Sequence, residues 1–461
     1  MDPYRASLWE LLYRGLESSA YPKEIGLMSQ HTKISRRRFL TSATAAAALP
    51  MIVPSSVFGA NAPSERIELA GIGMGGRGVG NMKNLMNQKG VQVVATCDAD
   101  LLKAQSFARY AEGKQGQKGV KVYQDYRELL AKTSCDAVMI GTPDHLHAVI
   151  GIACANAGKD IYGEKPFARY IKEGRALVNA VERNGVIWQT GSWQRSKKSF
   201  RHACELVRNG HMGKITKITI GLPAGWGSYD KYKAPIKPQA VPKTLDYDLW
   251  LGPAPWSPYY KEKVTYSWRL ISDYGGGKLL DWIGHHGDIA QWGLGRDNSG
   301  PCKCTPGKIT YPTHGLFDTP IQYKYTLEYD DGIEVEIGDD KQVPKGCRFW
   351  NDKGEWLEVS RSDLTASNKA LLKTVIGPGE TRLYHSSDHE ANWTSCIRSR
   401  KQTITPAETA HRSVTLGHLC LIAERLGRTV NFDPKTESFL KDPAAQALTQ
   451  RAYRAGWELP L

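Results

Sequence analysis

Residues 71–76 read Gly-Ile-Gly-Met-Gly-Gly, and their flanks narrow the folds open to this chain more than any other feature. The run 67–72 alternates and ends in glycines, so it reads as a strand. Residues 81–87 read as a helix, and 91–97 (Val-Gln-Val-Val-Ala-Thr-Cys) as a second strand ending at Asp98. Strand, glycine turn, helix, strand and acid in that order describe a βαβ unit that holds a dinucleotide. Gly71 permits the tight turn, Gly73 lets backbone approach a pyrophosphate, and Gly76 lets helix pack on strand. Met74 lies within the turn, and the helix N-terminus faces the phosphates. Asp98 stands 22 residues past Gly76, where a carboxylate accepts hydrogen bonds from the adenine ribose. The same carboxylate repels a 2′-phosphate, and Asp100 adds to that, which argues for NAD over NADP. Arg77, within reach of the phosphate region, works the other way.

The βα rhythm continues. Residues 125–132 have a helical pattern, and 136–141 form a buried strand running into Thr142-Pro143-Asp144-His145-Leu146-His147. Residues 148–157 are helical, and the strand 160–163 runs into Glu164-Lys165-Pro166. In an open parallel sheet, ligands lie at the carboxyl ends of the strands. Thr142, Pro143, His147, Glu164 and Lys165 are therefore expected to face the cofactor. The dinucleotide domain is placed at 63–188.

Ahead of it lies an address. Ser35-Arg36-Arg37-Arg38-Phe39-Leu40 precedes an alanine-rich apolar stretch, 43–53, and then Ala60-Asn61-Ala62, a small-x-small cleavage pattern. This resembles a twin-arginine export signal over 1–62 and places the mature protein in the periplasm or another extracytoplasmic space. The 27 residues before Met28 are unusual for such a signal, and Met28 gives a more ordinary start. The twin-arginine route carries folded proteins, which suits an enzyme that loads its cofactor before export.

Composition excludes several classes. The net charge is +14, about +11 without the first 62 residues, but the basic residues are scattered, and no nucleic-acid-binding module is visible. No apolar run is long enough for a permanent membrane span. Nine cysteines are too few and too dispersed for a disulfide scaffold. Cys97, Cys135 and Cys154 lie in apolar runs that read as buried. Cys302-x-Cys304 fits neither a zinc nor a thioredoxin spacing, so no metal is expected. His385, His389 and His411 read as structural.

The glycine fingerprint, then Thr-Pro-x-x-x-His over 142–147, then Glu164-Lys165-Pro166, resembles the Gfo/Idh/MocA oxidoreductases. The likeness extends through Gly275-Gly276-Gly277, Asp281, His285 and Asp288. It implies an α/β fold in which the Rossmann domain is followed, over 189–461, by an α/β domain with a large open, mostly antiparallel sheet. It implies hydride transfer between a nicotinamide and a sugar, glycoside or polyol hydroxyl, with Lys165 beside nicotinamide and substrate. It also implies a homo-oligomer, a dimer or tetramer, assembled through the sheet face. Arg195, with Gln194, follows the Rossmann domain closely enough to reach substrate.

The stretch 277–294 can be read independently. At about 100° per residue, Asp281, His285, Asp288 and Trp292 fall within roughly 60° of one another on a helix. Leu279, Ile283, Ala290 and Leu294 fall opposite, with His286 nearer the apolar back. The polar stripe is either a solvated surface or the catalytic face. In the catalytic reading His285 is a base, Asp281 fixes His285 or holds a substrate hydroxyl, Asp288 lines the substrate, and Lys165 polarises its oxygen. Whether Lys165 or His285 takes the proton stays open. Eleven of the 49 residues in 226–274 are Trp or Tyr, suited either to sugar C–H faces or to packing a proline-rich loop. The residues 406–427 read as a long helix that packs back on the Rossmann domain. Two other functions fit these residues: a redox-neutral glycosidase that oxidises a sugar carbon transiently on bound NAD, and a non-catalytic sugar-binding protein.

Overall fold

The computed structural model describes residues 66–225, 237–313 and 315–461. The export segment and Trp226, Tyr229 and Tyr232 lie outside the described residues.

The first domain alternates strand and helix: β1 (Ile67–Ile72), α1 (Gly76–Met86), β2 (Val91–Cys97), α2 (Leu101–Gln115), β3 (Lys121–Tyr123), α3 (Tyr126–Lys132), β4 (Ala137–Ile140), α4 (His147–Asn156), β5 (Asp160–Gly163), α5 (Ile171–Asn184) and β6 (Trp188–Thr190). The strands form one parallel sheet in the order β3-β2-β1-β4-β5-β6, the doubly wound arrangement whose carboxyl edge holds a dinucleotide. β4 is buried at every residue, as a strand covered by helices on both faces must be. Two boundaries differ from the sequence reading. α1 starts at Gly76 rather than residue 81, because its first turn is rich in glycine and carries little helical signal. β6 runs to Thr190, two residues past the expected domain boundary.

The second domain contains α6 (Lys198–Arg208), β7 (Ile215–Leu222), α7 (Tyr247–Leu251), α8 (Gly277–Leu294), β8 (Lys303–Pro306), β9 (Lys324–Glu328), β10 (Glu334–Asp339), β11 (Gly346–Asn351), β12 (Trp356–Val359), β13 (Leu364–Ala366), α9 (His389–Ser399), α10 (Ala407–Leu426), β14 (Val430–Asn431) and α11 (Pro443–Ala447). Its eight strands are ordered β13-β12-β11-β7-β10-β9-β8-β14, antiparallel except for the β7–β10 pair. Alternation decides the faces: in β9, Tyr325 and Leu327 are buried and Lys324, Thr326 and Glu328 are not. The outer face carries cross-strand ion pairs, among them Lys217–Glu336 (3.1 Å), Lys324–Glu336 (3.1 Å) and Arg348–Glu358 (2.8 Å).

The solvated-surface reading of the 277–294 stripe does not hold. Every residue of α8 is buried except Trp282 and Leu294. Its apolar back lies on the sheet, with Gly293 against Phe349 of β11, and α10 covers another side, where Gly417 lets Ile283 approach closely. The polar stripe faces protein as well. α10 also packs on α5, where Gly174 leaves room for the His411 ring. Arg175 of α5 binds Glu408 (2.8 Å) and Glu437 (2.7 Å), and Thr190 of β6 receives the chain just before α10 through Thr405. The second domain is thus tied to the first along the edge that carries the site.

Candidate active site

The glycine turn is shaped by contact as well as by conformation. Gly73 has φ +88°, and a Cβ there would lie 2.6 Å from Thr142 N at the end of β4. The role expected of Gly76 belongs to Gly78: a Cβ on Gly78 would meet Gly73 O at 1.9 Å, whereas one on Gly76 meets nothing within 4 Å. Gly75 and Gly76 therefore border open space at the N-terminus of α1, the place where a pyrophosphate binds. Met74 N donates to Asp98 Oδ2 (2.7 Å) and Asp100 N to Asp98 Oδ1 (2.8 Å), so Asp98 braces the turn. Burial raises the Asp98 carboxyl above its usual range, opposed by Lys103. Beside it a cavity of about 370 Å³ is lined by Met74, Val79, Leu102, Phe107 and Tyr110 with Lys83 and Lys103 at its edge, a size and polarity that fit an adenosine end. The hydroxyl of Thr142, whose backbone N closes on Gly73, is buried without a partner. The glycine cradle, open N-terminus and orphaned hydroxyl fit a dinucleotide.

Two expected cofactor residues act at one remove. His147 is buried, its Nδ1 lying 2.7 Å from Pro166 O and its Nε2 2.9 Å from Thr142 O, so it struts Thr142-Pro143 against the Glu164-Lys165-Pro166 turn. Glu164 accepts from Arg77 Nε (2.8 Å), Asn81 Nδ2 (2.7 Å) and Lys165 N (3.1 Å). Burial alone would raise its carboxyl, but Arg77, then Lys165 and Asn81, hold it below the ordinary glutamate range. It clamps α1 to the turn that carries Lys165.

Lys165 reaches across to α8, where its Nζ donates to Asp281 Oδ1 (2.8 Å) and to the Asp281 carbonyl (2.6 Å). Gly277, at φ +65°, opens α8 against Thr319, and Ser192 Oγ holds the helix backbone at Gly284 O (2.8 Å). Asp281 also accepts from Lys278 Nζ (3.1 Å) and Arg269 Nε (3.3 Å). Despite its burial, Lys165, Arg269 and Lys278 keep it far below the usual carboxylate range, so it stays ionised. Its hydrogen bonds go to these three cations and not to His285, so of the two roles expected of it the structure shows no orienting bond to His285. His285 lies one turn on, buried between Trp282 (ring centroids 5.6 Å apart) and Trp193 (6.3 Å). Its Nδ1 is buried without a partner. Burial, reinforced by the positive charges of Lys165 and Arg361, drives its pKa well below the usual imidazole value, so the ring is neutral.

Arg195 and Asp288 leave the substrate set. Arg195 is 2% exposed and binds Asp288 through Nε (2.8 Å) and Nη2 (2.7 Å), with Asp297 (2.8 Å) and the Trp292 ring completing its shell. Ser413 of α10 donates to Asp288 as well (2.7 Å). The stripe on α8 therefore divides: its first half serves the site and its second half anchors the scaffold. The aromatic segment divides too. Trp250, Tyr259 and Tyr274 are core, with Trp250 and Tyr274 rings 4.9 Å apart, while Tyr266 is 48% exposed and accepts from Lys278 (3.0 Å). His389 and His411 are buried and bonded to Thr190 O and Glu437 respectively, and His385 is exposed. No cluster of metal ligands occurs among the described residues.

Sequence reasoning missed four site residues. Lys278 was legible as the i−3 neighbour of Asp281. Asp144, buried in the Thr-Pro-x-x-x-His turn, has its carboxyl pushed up to about 8 by burial, with Asp281 adding to the effect and Arg269, Lys165 and Arg169 opposing it. Arg269 and Arg361 have no local sequence signature.

Comparison with known proteins agrees with this fold. A family profile described as "Oxidoreductase family, NAD-binding Rossmann fold" of the Gfo/Idh/MocA group matches residues 67–192, and its companion, "Oxidoreductase family, C-terminal alpha/beta domain", matches residues 197–459. An inositol 2-dehydrogenase of Salmonella typhimurium is 28% identical over 182 residues, 39% of this chain and 51% of the relative, so the match spans about half that protein's length. A glycosyl hydrolase family 109 protein of Stenotrophomonas maltophilia is 24% identical over 71% of this chain and 75% of its own. The crystal structure of the WlbA dehydrogenase from Bordetella pertussis, in complex with NADH and UDP-GlcNAcA, shares the fold, with a TM-score of 0.57 at 16% identity over 80% of this chain and 99% of that one.

Proposed function

We propose that this chain, which belongs to the Gfo/Idh/MocA family of oxidoreductases, exchanges a hydride between NAD and a hydroxyl-bearing carbon of a sugar, glycoside or polyol. The observation that carries this reading is the ion pair Lys165–Asp281 beside a neutral, buried His285 at the carboxyl edge of the NAD-binding sheet. When bound, NAD supplies the two-electron acceptor or donor. The protein's own residues supply the proton path. Lys165, fixed by Asp281, presents its ammonium to the substrate oxygen and stabilises negative charge there as the proton leaves. His285, held neutral, is the group that accepts that proton, a role worth about 10²–10⁴-fold for a well-matched base. Asp281, held ionised by three cations, does not compete for it. Asp98 supports NAD over NADP through repulsion of a 2′-phosphate.

The test is absorbance at 340 nm on mixing NAD-loaded protein with a panel of sugars, glycosides and cyclitols. Reduction by at least one, lost about 10²-fold or more in Lys165→Ala and His285→Asn, is expected; a panel that never changes the absorbance contradicts the reading. The family 109 relative favours one second reading, a redox-neutral glycosidase, in which aglycone is released with no net NADH formed. We further propose twin-arginine export after cofactor loading, to be checked by mapping whether the mature N-terminus begins just after Ala62, and a dimer or tetramer, to be checked by light scattering.

A further inference from the structure

We propose that the substrate is an anionic sugar derivative, carrying a carboxylate or a phosphate, and that Arg361 is the residue that recognises this group. The inference rests on the oxidoreductase reading and narrows its substrate class.

Arg361 lies in the loop between β12 and β13 and projects over the site. Its guanidinium is 4.3 Å from the Trp282 ring and 4.8 Å from the Trp193 ring, the two tryptophans that flank His285. Its Nε donates to the Gln194 side-chain oxygen (3.2 Å), and the Gln194 amide in turn donates to His285 O (3.0 Å), in the amide orientation that satisfies both bonds. The cation is thus tied to the backbone of the candidate base. Among the described residues no carboxylate forms an ion pair with it. The charges that act on it are Arg77, which repels, and Asp281, which attracts but is already shared by Lys165, Lys278 and Arg269.

The site therefore holds more positive charge than its own carboxylates compensate. A neutral sugar leaves that surplus standing, whereas an anion offsets it, and Arg361 is exposed and so open to a ligand arriving from solvent. The residue type agrees. A guanidinium stacked on an aromatic face is oriented in advance and presents its outward N–H groups as a fork that matches carboxylate and phosphate oxygens two at a time. The two rings serve here as a platform for cations: Lys197 also lies over Trp193 (5.6 Å) and Lys345 over Trp282 (5.0 Å), which adds to the positive charge.

The test titrates the NAD-loaded protein by tryptophan fluorescence with glucose, glucuronate, glucose 6-phosphate, galacturonate and inorganic phosphate at physiological salt, in the wild type and in Arg361→Gln and Arg361→Lys. At least one anionic sugar is expected to bind tenfold or more tighter than glucose. Arg361→Gln should cut that preference by roughly tenfold to a hundredfold, the range for a charge-assisted hydrogen bond, and Arg361→Lys should restore part of it. Glucuronate or galacturonate as the favoured ligand identifies a carboxylate, and glucose 6-phosphate a phosphate. Equal binding of neutral and anionic sugars overturns the inference. So does inorganic phosphate binding as tightly as the sugar anions, or an Arg361→Gln variant that loses NAD and keeps the sugar preference. Charge-blind binding accompanied by NAD reduction removes this inference alone. Charge-selective binding that never alters the absorbance at 340 nm removes the oxidoreductase reading alone, and no binding of any sugar removes both.

Discussion

Asp281 is bonded to three cations in a buried setting, and the consequences of changing it are asymmetric. Asp281→Asn keeps the shape but removes the negative charge that Lys165, Lys278 and Arg269 share. Removing one partner of a buried ionic cluster costs about 3–5 kcal/mol, so this variant is expected to lose stability as well as turnover, measurable by thermal unfolding beside the 340 nm assay. Lys165→Met, which leaves Asp281 two cations, should lose turnover while keeping most of its stability. The glycine turn makes a second contrast. Gly78→Ala drives a Cβ into Gly73 O and is expected to abolish NAD binding and destabilise the first domain. Gly76→Ala has room and a helical position, so its stability should hold within about 1 kcal/mol, and NAD affinity measured by calorimetry should carry any loss. The fingerprint located this turn from sequence, yet spacing alone assigned the helix-packing role to Gly76. Which glycine touches the facing strand depends on the splay of α1, and no spacing rule encodes that.

At the scale of elements, α8 shows what periodicity can and cannot say. The 3.6-residue repeat correctly groups Asp281, His285, Asp288 and Trp292 on one side. It is silent on what lies opposite, and the opposing surface changes along the helix. The Lys165 turn faces the first half, and Arg195 with Ser413 of α10 faces the second. That is why Asp288 reads as a substrate ligand in the sequence and is a buried anchor in the structure. Arg195→Ala would strand Asp288 and is expected to lower the unfolding midpoint by several degrees, with little change in NAD affinity; a folded, fully stable variant that has lost only sugar binding would contradict this assignment. Strand elements were more legible than the helix, because β4 and β9 declare their burial through continuous and alternating apolar patterns. Arg269 and Arg361 were illegible for the opposite reason: they reach the site from a short 3₁₀ turn and a loop whose positions only the tertiary fold defines.

Over the whole molecule, buried imidazoles set the acid limit of stability. His145, His286 and His418 are pushed down to about 3, and His147, His285 and His389 are also lowered, in each case chiefly by burial. Below the ordinary imidazole pKa of about 6.5 the unfolded chain binds protons that the folded chain excludes. Stability therefore rises with pH from about 3 to about 6.5 and is lost on acidification through that window. Asp144 and Glu173 act in the opposite sense, their carboxyls raised to about 8 and about 7 by burial. Their contribution is fully present below the ordinary carboxylate pKa of about 4 and is lost progressively as pH rises from there to about 8 for Asp144 and about 7 for Glu173. Unfolding in denaturant across pH 4–9 should show both limbs, and Asp144→Asn should flatten the alkaline one. The two-domain layout was legible because each half carries its own period, parallel βα repeats and then alternating strands, whereas the pairing order of the second sheet was not.

The central claim is that NAD bound at the glycine turn is reduced or oxidised by a sugar held at Lys165 and His285. The most direct measurement is to purify the protein, release its nucleotide by denaturation, and identify it by mass and absorbance before and after exposure to the sugar panel. NAD or NADH on the protein, changing redox state with a sugar and failing to change in Lys165→Ala, is the predicted result. A protein with no affinity for either nicotinamide dinucleotide, or one whose bound nucleotide never changes state, would contradict it.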